Sequence, residues 1–289
     1  MKKRIESGTS LTAIMTCLMR VLSYYEKNKM LRTDDYIAPF LIPPFLNSLA
    51  RQPVFRNIYK FLAPKGIYEY IIARTKYIDE VFENNKSKIE QVVILGAGFD
   101  TRSIRFRDKL RQAVFYELDS PITQESKLKR YEEKNVISQN VVYIPIDFTK
   151  EAFSQRLSES GFQKGKVCLF LLEGLSMYLN TISMDRTFDM ISDCAGAGSM
   201  VVFDYVYASV LRREDTYTDE RKISKMVSVF GEKWSFGIER GEAGNFLSKH
   251  GFMLRDEADS RTLEKRYFSL SGKKRIHVHE THSIVTARK

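Results

Sequence analysis

Residues 92–102 read Val-Val-Ile-Leu-Gly-Ala-Gly-Phe-Asp-Thr-Arg. The unbroken apolar, β-branched run from Val92 to Leu95 predicts a strand buried on both faces, as in the middle of a parallel sheet. Gly96 and Gly98 then let the backbone turn sharply and approach a ligand, because neither carries a Cβ. In an open α/β sheet, the turn after the first strand is where a nucleotide-like cofactor sits. The run departs from the dinucleotide fingerprint, however. Its third glycine is missing and Asp100 stands near that place. A carboxylate there repels a pyrophosphate, so the turn favours a cofactor without one, and S-adenosyl-L-methionine is the candidate.

The rest of the chain alternates in a way that supports such a sheet. Strands are predicted at 91–96, 113–118, 141–146, 167–172 and 199–205, with helix-capable segments at 120–135, 149–160 and 181–195 between them. That alternation calls for a parallel sheet with helices on both faces. Ahead of it, Leu11, Ile14, Met15, Leu18, Val21 and Leu22 recur at helical spacing within 7–31. Pro39, Pro43 and Pro44 break the region that follows, and a second helix is expected at 64–84. Residues 206–240 are charged and aromatic without a strand signal, as in an inserted cap. A helix at 241–250 and two strands, near 262–270 and 276–287 around Ser271-Gly272-Lys273, close the chain as an antiparallel hairpin at one sheet edge. The expected class is α/β, a Rossmann-like seven-stranded sheet of the methyltransferase type, with five parallel strands and a terminal antiparallel hairpin. It forms one domain over 1–289: an N-terminal helical cap (1–88), a cofactor-binding core (89–205), the insertion (206–240), and the terminal helix and hairpin (241–289).

With 43% hydrophobic and 28% charged residues, the composition is that of a soluble globule, and no apolar stretch approaches a membrane span. Polar residues after Met1-Lys2-Lys3-Arg4 do not match a signal peptide, and Cys17, Cys168 and Cys194 lack metal-type spacing. The expectation is a cytoplasmic protein with reduced thiols. The net charge of +10 is scattered in small clusters with acids nearby, which reads as a solvated surface or one that suits an anionic partner. No basic stripe interleaved with aromatics points to nucleic acid.

Three acids end three strands. Asp119 follows Phe115-Tyr116-Glu117-Leu118 and lies 21 positions after Gly98, near the interval at which an acid reaches a ribose diol. Capping the helix at Pro121 is its plainer role, and Glu117 is a helper or substitute for it. Asp147 follows Tyr143-Ile144-Pro145-Ile146; it can accept from an adenine amino group while Phe148 or Ile146 covers the ring, or it can cap a helix near Thr149. Glu173 ends Leu169-Phe170-Leu171-Leu172 and must meet a cation, hydroxyls or water, since burying it alone is costly. Tyr178, five residues on, is either a substrate-pocket wall or ordinary packing.

These segments resemble the leucine carboxyl methyltransferase family. The Gly-Ala-Gly-Phe-Asp-Thr-Arg run is the specific part, joined by Tyr-Glu-Leu-Asp-Ser-Pro with Lys127, Glu-Gly-Leu-Ser-Met-Tyr-Leu, and Gly8-Thr9-Ser10-Leu11-Thr12-Ala13 with Arg20. The resemblance implies that Arg74 pairs with the carboxylate of S-adenosyl-L-methionine, and a guanidinium fork suits that group. It also implies that Gly96, Ala97 and Gly98 pass under the methionine part, and that Asp119 holds the ribose. Asp147 with Phe148 would meet the adenine, Glu173 would lie beside the cofactor, and Asp100 and Arg102 would orient the loop.

Methyl transfer from a sulfonium is an in-line displacement that chiefly needs positioning. A carboxylate acceptor is already ionised, whereas a phenol or alcohol usually needs a base. His277, His279 and His282 cluster near the end, and the first two share a strand face if that segment is a strand, but no metal is expected. The expected activity is O-methylation of a small-molecule carboxylate, the substrate being anionic or aromatic. Phenol or alcohol methylation, protein C-terminal carboxyl methylation and non-catalytic cofactor binding are the alternatives. No catalytic residue stands out beyond Tyr178 and Glu173. Met15, Met19, Tyr24, Tyr25, Tyr36, Phe40, Tyr205, Tyr207, Met226, Phe230 and Trp234 are the candidate pocket walls.

Overall fold

The structure is a computed structural model, and it describes residues 11–136, 139–148, 152–214, 217, 219–223, 234–269 and 276–289. In chain order, helices α1 (Leu11–Tyr24), α2 (Pro44–Ala50), α3 (Pro53–Leu62) and α4 (Ile67–Asn85) precede the sheet. The core follows as β1 (Gln91–Leu95), α5 (Arg102–Arg105), β2 (Val114–Asp119), α6 (Pro121–Glu133), β3 (Val141–Pro145), α7 (Phe153–Glu159), β4 (Cys168–Leu172), α8 (Thr181–Cys194) and β5 (Met200–Val206). Then come α9 (Ala208–Leu211), α10 (Ala243–Lys249), β6 (Met253–Asp259), α11 (Ser260–Leu263) and β7 (His282–Arg288).

The seven strands lie in the order β3-β2-β1-β4-β5-β7-β6, with β7 antiparallel to both its neighbours and the other pairings parallel. The chain reverses direction across the sheet between β1 and β4, so the crevice beside the carboxyl end of β1 is the switch point where ligands bind. Alternation within β1 builds the core on both faces. Val92 and Ile94 pack with α1 and α4, while Val93 and Leu95 pack with α7 and α8. All five β1 residues are buried, and full burial of each aliphatic side chain contributes about 1.5–3 kcal/mol.

The five parallel strands lie within a residue of their expected bounds. Four other expectations are corrected. Pro44 does not keep its region unwound: it starts α2 at the first position, where the missing N–H costs nothing, and Pro53 starts α3 in the same way. The first helix stops at Tyr24 and the second starts at Ile67, both shorter than the periodicity suggested. Residues 262–270 are not a strand. Asp259 caps α11 by accepting from Thr262 N at 2.9 Å, and a π-helical turn (Glu264–Phe268) follows. The first hairpin strand is instead the charge-rich Met253–Asp259, an edge strand paired on one side only, which needs little apolar alternation. Finally, His277 and His279 precede β7 in irregular chain and share no strand face. Gly8, Thr9, Ser10, Thr149, Met226, Phe230 and the Ser271-Gly272-Lys273 turn lie outside the described residues. Among the described residues, no helix is long and apolar enough to cross a membrane.

Candidate functional site

At the end of β1 the backbone enters the left-handed region twice, with φ +64° at Gly96 and +45° at Gly98. A Cβ on Gly96 would stand 2.9 Å from Leu175 Cδ1, so the turn is both conformationally and sterically reserved for glycine. Ala97 N donates to Leu118 O at 3.0 Å, which ties the turn to β2. Asp119, at the tip of β2, closes it: Oδ2 accepts from Gly98 N at 2.5 Å and Oδ1 from Ser120 N at 2.6 Å. Burial raises the Asp119 carboxyl above its ordinary range, and those two N–H groups only partly counter it. Each oxygen keeps a second lone pair for an incoming hydroxyl. Asp119 does not cap α6, whose N-cap position is Ser120 and has no side-chain cap. Glu117 is engaged elsewhere, with Lys127 Nζ at 2.6 Å and Ser103 Oγ at 2.5 Å on its two oxygens in a fully buried cluster.

Beneath the turn runs a buried network of charge. Asp100 accepts from Arg102 N at 2.7 Å and Arg102 Nη1 at 2.6 Å, which fixes the loop. Arg102 also reaches Asp79 at 2.7 Å and Glu173 at 2.5 Å. Arg105 pairs with Asp79, and Arg20 with Asp35, while Arg20 Nη2 donates to Phe99 O at 2.5 Å. Arg74, from α4, lies between Glu173 (3.0 Å) and the fully buried Asp204 of β5 (2.5 Å). Burial opposes ionisation of Glu173, but Arg102, Arg74 and Arg20 outweigh it and bring its carboxyl down to about 2.

Two features of this network fit a bound adenosyl amino acid. Four guanidinium groups (Arg20, Arg74, Arg102, Arg105) face five carboxylates (Asp35, Asp79, Asp100, Glu173, Asp204), one negative charge in surplus. A ligand carrying an ammonium, a carboxylate and a sulfonium has a net charge of +1 and would balance it. In addition, Arg74 Nε is buried with no hydrogen-bond partner among the described residues, a donor left for an incoming acceptor.

Asp147 and Phe148, both half-buried, follow β3. Among the described residues the next helix is α7, with Ala152 at its N-cap; a cap near Thr149 lies outside them. Tyr178 ends a 3-10 turn (Ser176–Tyr178) that follows β4 and is half-buried. A second group assembles at the carboxyl edge of β5. His282 of β7 is in register with Val206, its ring 4.5 Å from that of Tyr70 and 5.4 Å from that of Trp234. Tyr70 OH donates to Asp204 at 3.0 Å, linking this aromatic wall to Arg74. Burial, then His279 and Arg74, push the His282 imidazole well below its ordinary pKa, so it is neutral, and its Nδ1 is 2.7 Å from Thr281 Oγ1. Trp234 Nε1 is buried without an acceptor among the described residues. No cluster of three or more potential metal-ligating side chains occurs among them.

Asp204 was missed in the sequence, as were Asp35, Asp79 and Tyr70. The signal for Asp204 was present: an acid inside Val201-Val202-Phe203-Asp204-Tyr205-Val206 needs a buried partner, by the same logic that singled out Glu173.

A family model described as leucine carboxyl methyltransferase matches residues 13–192. The chain is 26% identical over 285 residues to the Bacillus subtilis protein YktD, named as an S-adenosyl-L-methionine-dependent methyltransferase, across 91% of this chain and 93% of that one. A Mycobacterium marinum protein with the same kind of name is 30% identical over 208 residues, 69% of this chain and 67% of its own length. Among solved structures, a Thermobifida fusca chain described as a methyltransferase matches with a TM-score of 0.60 at 14% identity, across 95% of this chain and 94% of that one. That likeness supports the fold.

Proposed function

Because the chain belongs to the leucine carboxyl methyltransferase family, and is thereby an S-adenosyl-L-methionine-dependent methyltransferase, we propose that it methylates oxygen, specifically a carboxylate of a small molecule. S-adenosyl-L-methionine, when bound, supplies an electrophilic methyl group on a sulfonium. In this reading Gly96, Ala97 and Gly98 give the amino-acid part close access to the backbone. Arg74 turns its free Nε–H, and the fork now shared with Glu173, toward the carboxylate. Asp119 accepts from the ribose hydroxyls, and Asp147 from the adenine amino group with Phe148 against the ring. Glu173 takes the ammonium, while Asp100 and Arg102 hold the turn. The surplus carboxylate of the network favours a cationic ligand over its neutral demethylated product, which assists release after transfer.

The division of labour follows the proposed segments: the core 89–205, with Arg74 from the N-terminal cap (1–88), binds the cofactor, whereas Tyr70 of that cap, the insertion (206–240) and the terminal part (241–289) shape the acceptor end. The observation that carries the carboxylate reading is Trp234 Nε1–H, a buried donor without an acceptor beside the aromatic wall. A carboxylate oxygen satisfies it, and a carboxylate needs no base. The test is incubation of the protein with methyl-labelled S-adenosyl-L-methionine and a panel of aromatic and aliphatic acids and phenols. Label recovered as volatile methanol after mild alkali reports a methyl ester. Label that survives alkali in an ether contradicts the carboxylate assignment.

A second reading has its own support. His282 stands at the same wall, where its neutral ring can accept a hydrogen bond from a phenol or alcohol hydroxyl and orient it, although the burial that lowers its pKa makes it a weak base. If alkali-stable ethers form, His282→Asn should cut kcat at least about a hundredfold, with cofactor affinity unchanged. A carboxylate methylation would lose far less.

A further inference from the structure

Most of the exposed large apolar side chains of this protein lie together. Six of the eleven among the described residues fall within α2 and α3: Phe45, Leu49, Val54, Ile58, Phe61 and Leu62. Phe61 is 84% exposed, Val54 69%, Leu62 68% and Phe45 64%. On α3 they follow the helical repeat, i, i+4, i+7 and i+8 from Val54, so they form one outward stripe. The inward face of α3 is the less apolar one. It carries Arg56, which is buried and donates to Ala50 O at 3.0 Å and Arg51 O at 2.7 Å, together with Phe55 and Tyr59. A surface helix that turns its aliphatic face outward is built to be covered.

Charge identifies the cover. From Tyr36 to Tyr68 the sequence contains no Asp or Glu, yet it holds Arg51, Arg56, Lys60 and Lys65. Lys60 is neutralised by Glu26 at 2.7 Å and Arg56 is internal, but Arg51 and Lys65 are exposed and join no ion pair among the described residues. A second copy laid on the same stripe would bring Arg51 and Lys65 toward their like, since 36–68 offers them no carboxylate; the one acid against this segment's end, Asp219, already accepts from Lys65 N at 3.0 Å. Aliphatic and phenylalanine side chains flanked by cations, on short proline-started helices, match a helix pair lying in the interface of an anionic bilayer. We propose that α2 and α3 dock this enzyme on anionic membrane surfaces, with Phe45, Ile58, Phe61 and Leu62 entering the headgroup boundary and Arg51 and Lys65 meeting lipid phosphates. The protein is then held peripherally, and this holds whatever the methyl acceptor is.

The experiment is co-sedimentation of the full chain with vesicles of phosphatidylcholine alone, or containing about 30% phosphatidylglycerol. Each cation near such a surface raises partitioning by about fivefold, so binding to the anionic vesicles should exceed binding to the neutral ones by at least about tenfold. Ile58→Asp with Phe61→Asp should abolish it. Arg51→Glu with Lys65→Glu should reduce it to the level of neutral vesicles. All four positions are exposed, so melting temperature and cofactor affinity should stay as in the wild type, which separates this surface from the methyl-transfer site. No binding to anionic vesicles overturns the proposal, as does equal binding to both vesicle types or binding that survives Ile58→Asp with Phe61→Asp. Sedimentation velocity adds a third arm. A wild-type dimer that Phe61→Asp converts to monomer, without vesicle binding, would make the stripe a self-association face instead.

Discussion

Arg74→Met is the perturbation whose consequence can be worked furthest. Arg74 is 4% exposed, and its guanidinium is 2.5 Å from Asp204, which is wholly buried. Without it, Asp204 keeps only neutral donors among its named partners, Tyr70 OH at 3.0 Å and Gly174 N at 2.6 Å. Breaking one side of a buried ion pair costs about 3–5 kcal/mol, because the remaining charge stays desolvated. Glu173, the other partner, still has Arg102 at 2.5 Å, so it adds little beyond that figure. Urea unfolding without cofactor at neutral pH should therefore show Arg74→Met less stable by about 3–5 kcal/mol. Asp204→Asn alone and the double variant complete a cycle. The double variant should lose less than the sum of the two by at least about 1.5 kcal/mol, as expected for groups in direct contact. A loss under about 1 kcal/mol, or additive effects, would show that the Arg74–Asp204 pair does not hold the apo site together.

Two further outcomes follow from the same site. Glu173 has a folded pKa near 2 against an ordinary 4.5, so its ion pairs stabilise the fold above about pH 4.5 and that contribution is lost as the pH falls toward 2. Thermal melts across that range should show a shallower acid decline for Glu173→Gln than for the wild type; parallel curves would contradict the assignment. Gly98→Ala places a side chain at φ +45° and 3.4 Å from Ala13 Cβ, so it should cost about 1–2 kcal/mol and weaken the cofactor, read by calorimetry, while an unperturbed variant would mean the turn tolerates any residue.

What could be read from the sequence was set by how locally each feature is determined. Apart from Gln91 and Asp204, strands β1, β4 and β5 are apolar because both faces are covered, and such runs announce themselves. Strand β6 could not be read that way: Met-Leu-Arg-Asp-Glu-Ala-Asp is an edge, and its pairing with β7 is fixed by tertiary contact. The helices begun by Pro44 and Pro53 were hidden because proline breaks a helix interior yet suits its first turn. The same division runs through the site. Gly96, Gly98 and Asp119 stand at a legible spacing, and the structure joins Gly98 to Asp119 by a 2.5 Å hydrogen bond. Arg74 was legible only by resemblance, and its partner Asp204 lies 130 residues away, a distance that no local pattern bridges. The grouping of Tyr70, Trp234 and His282 needed the fold, since each comes from a different segment of the chain.

The central claim is that the Gly96–Gly98 turn and Asp119 hold the ribose of S-adenosyl-L-methionine. Calorimetric titration of S-adenosyl-L-methionine into the wild type and Asp119→Ala tests it most directly, with melting curves to confirm that the variant is folded. Two hydroxyl hydrogen bonds to a charged acceptor contribute about 1.5–3 kcal/mol each, so Asp119→Ala should raise Kd by about two orders of magnitude or more. A folded variant whose affinity stays within about threefold of the wild type would contradict it.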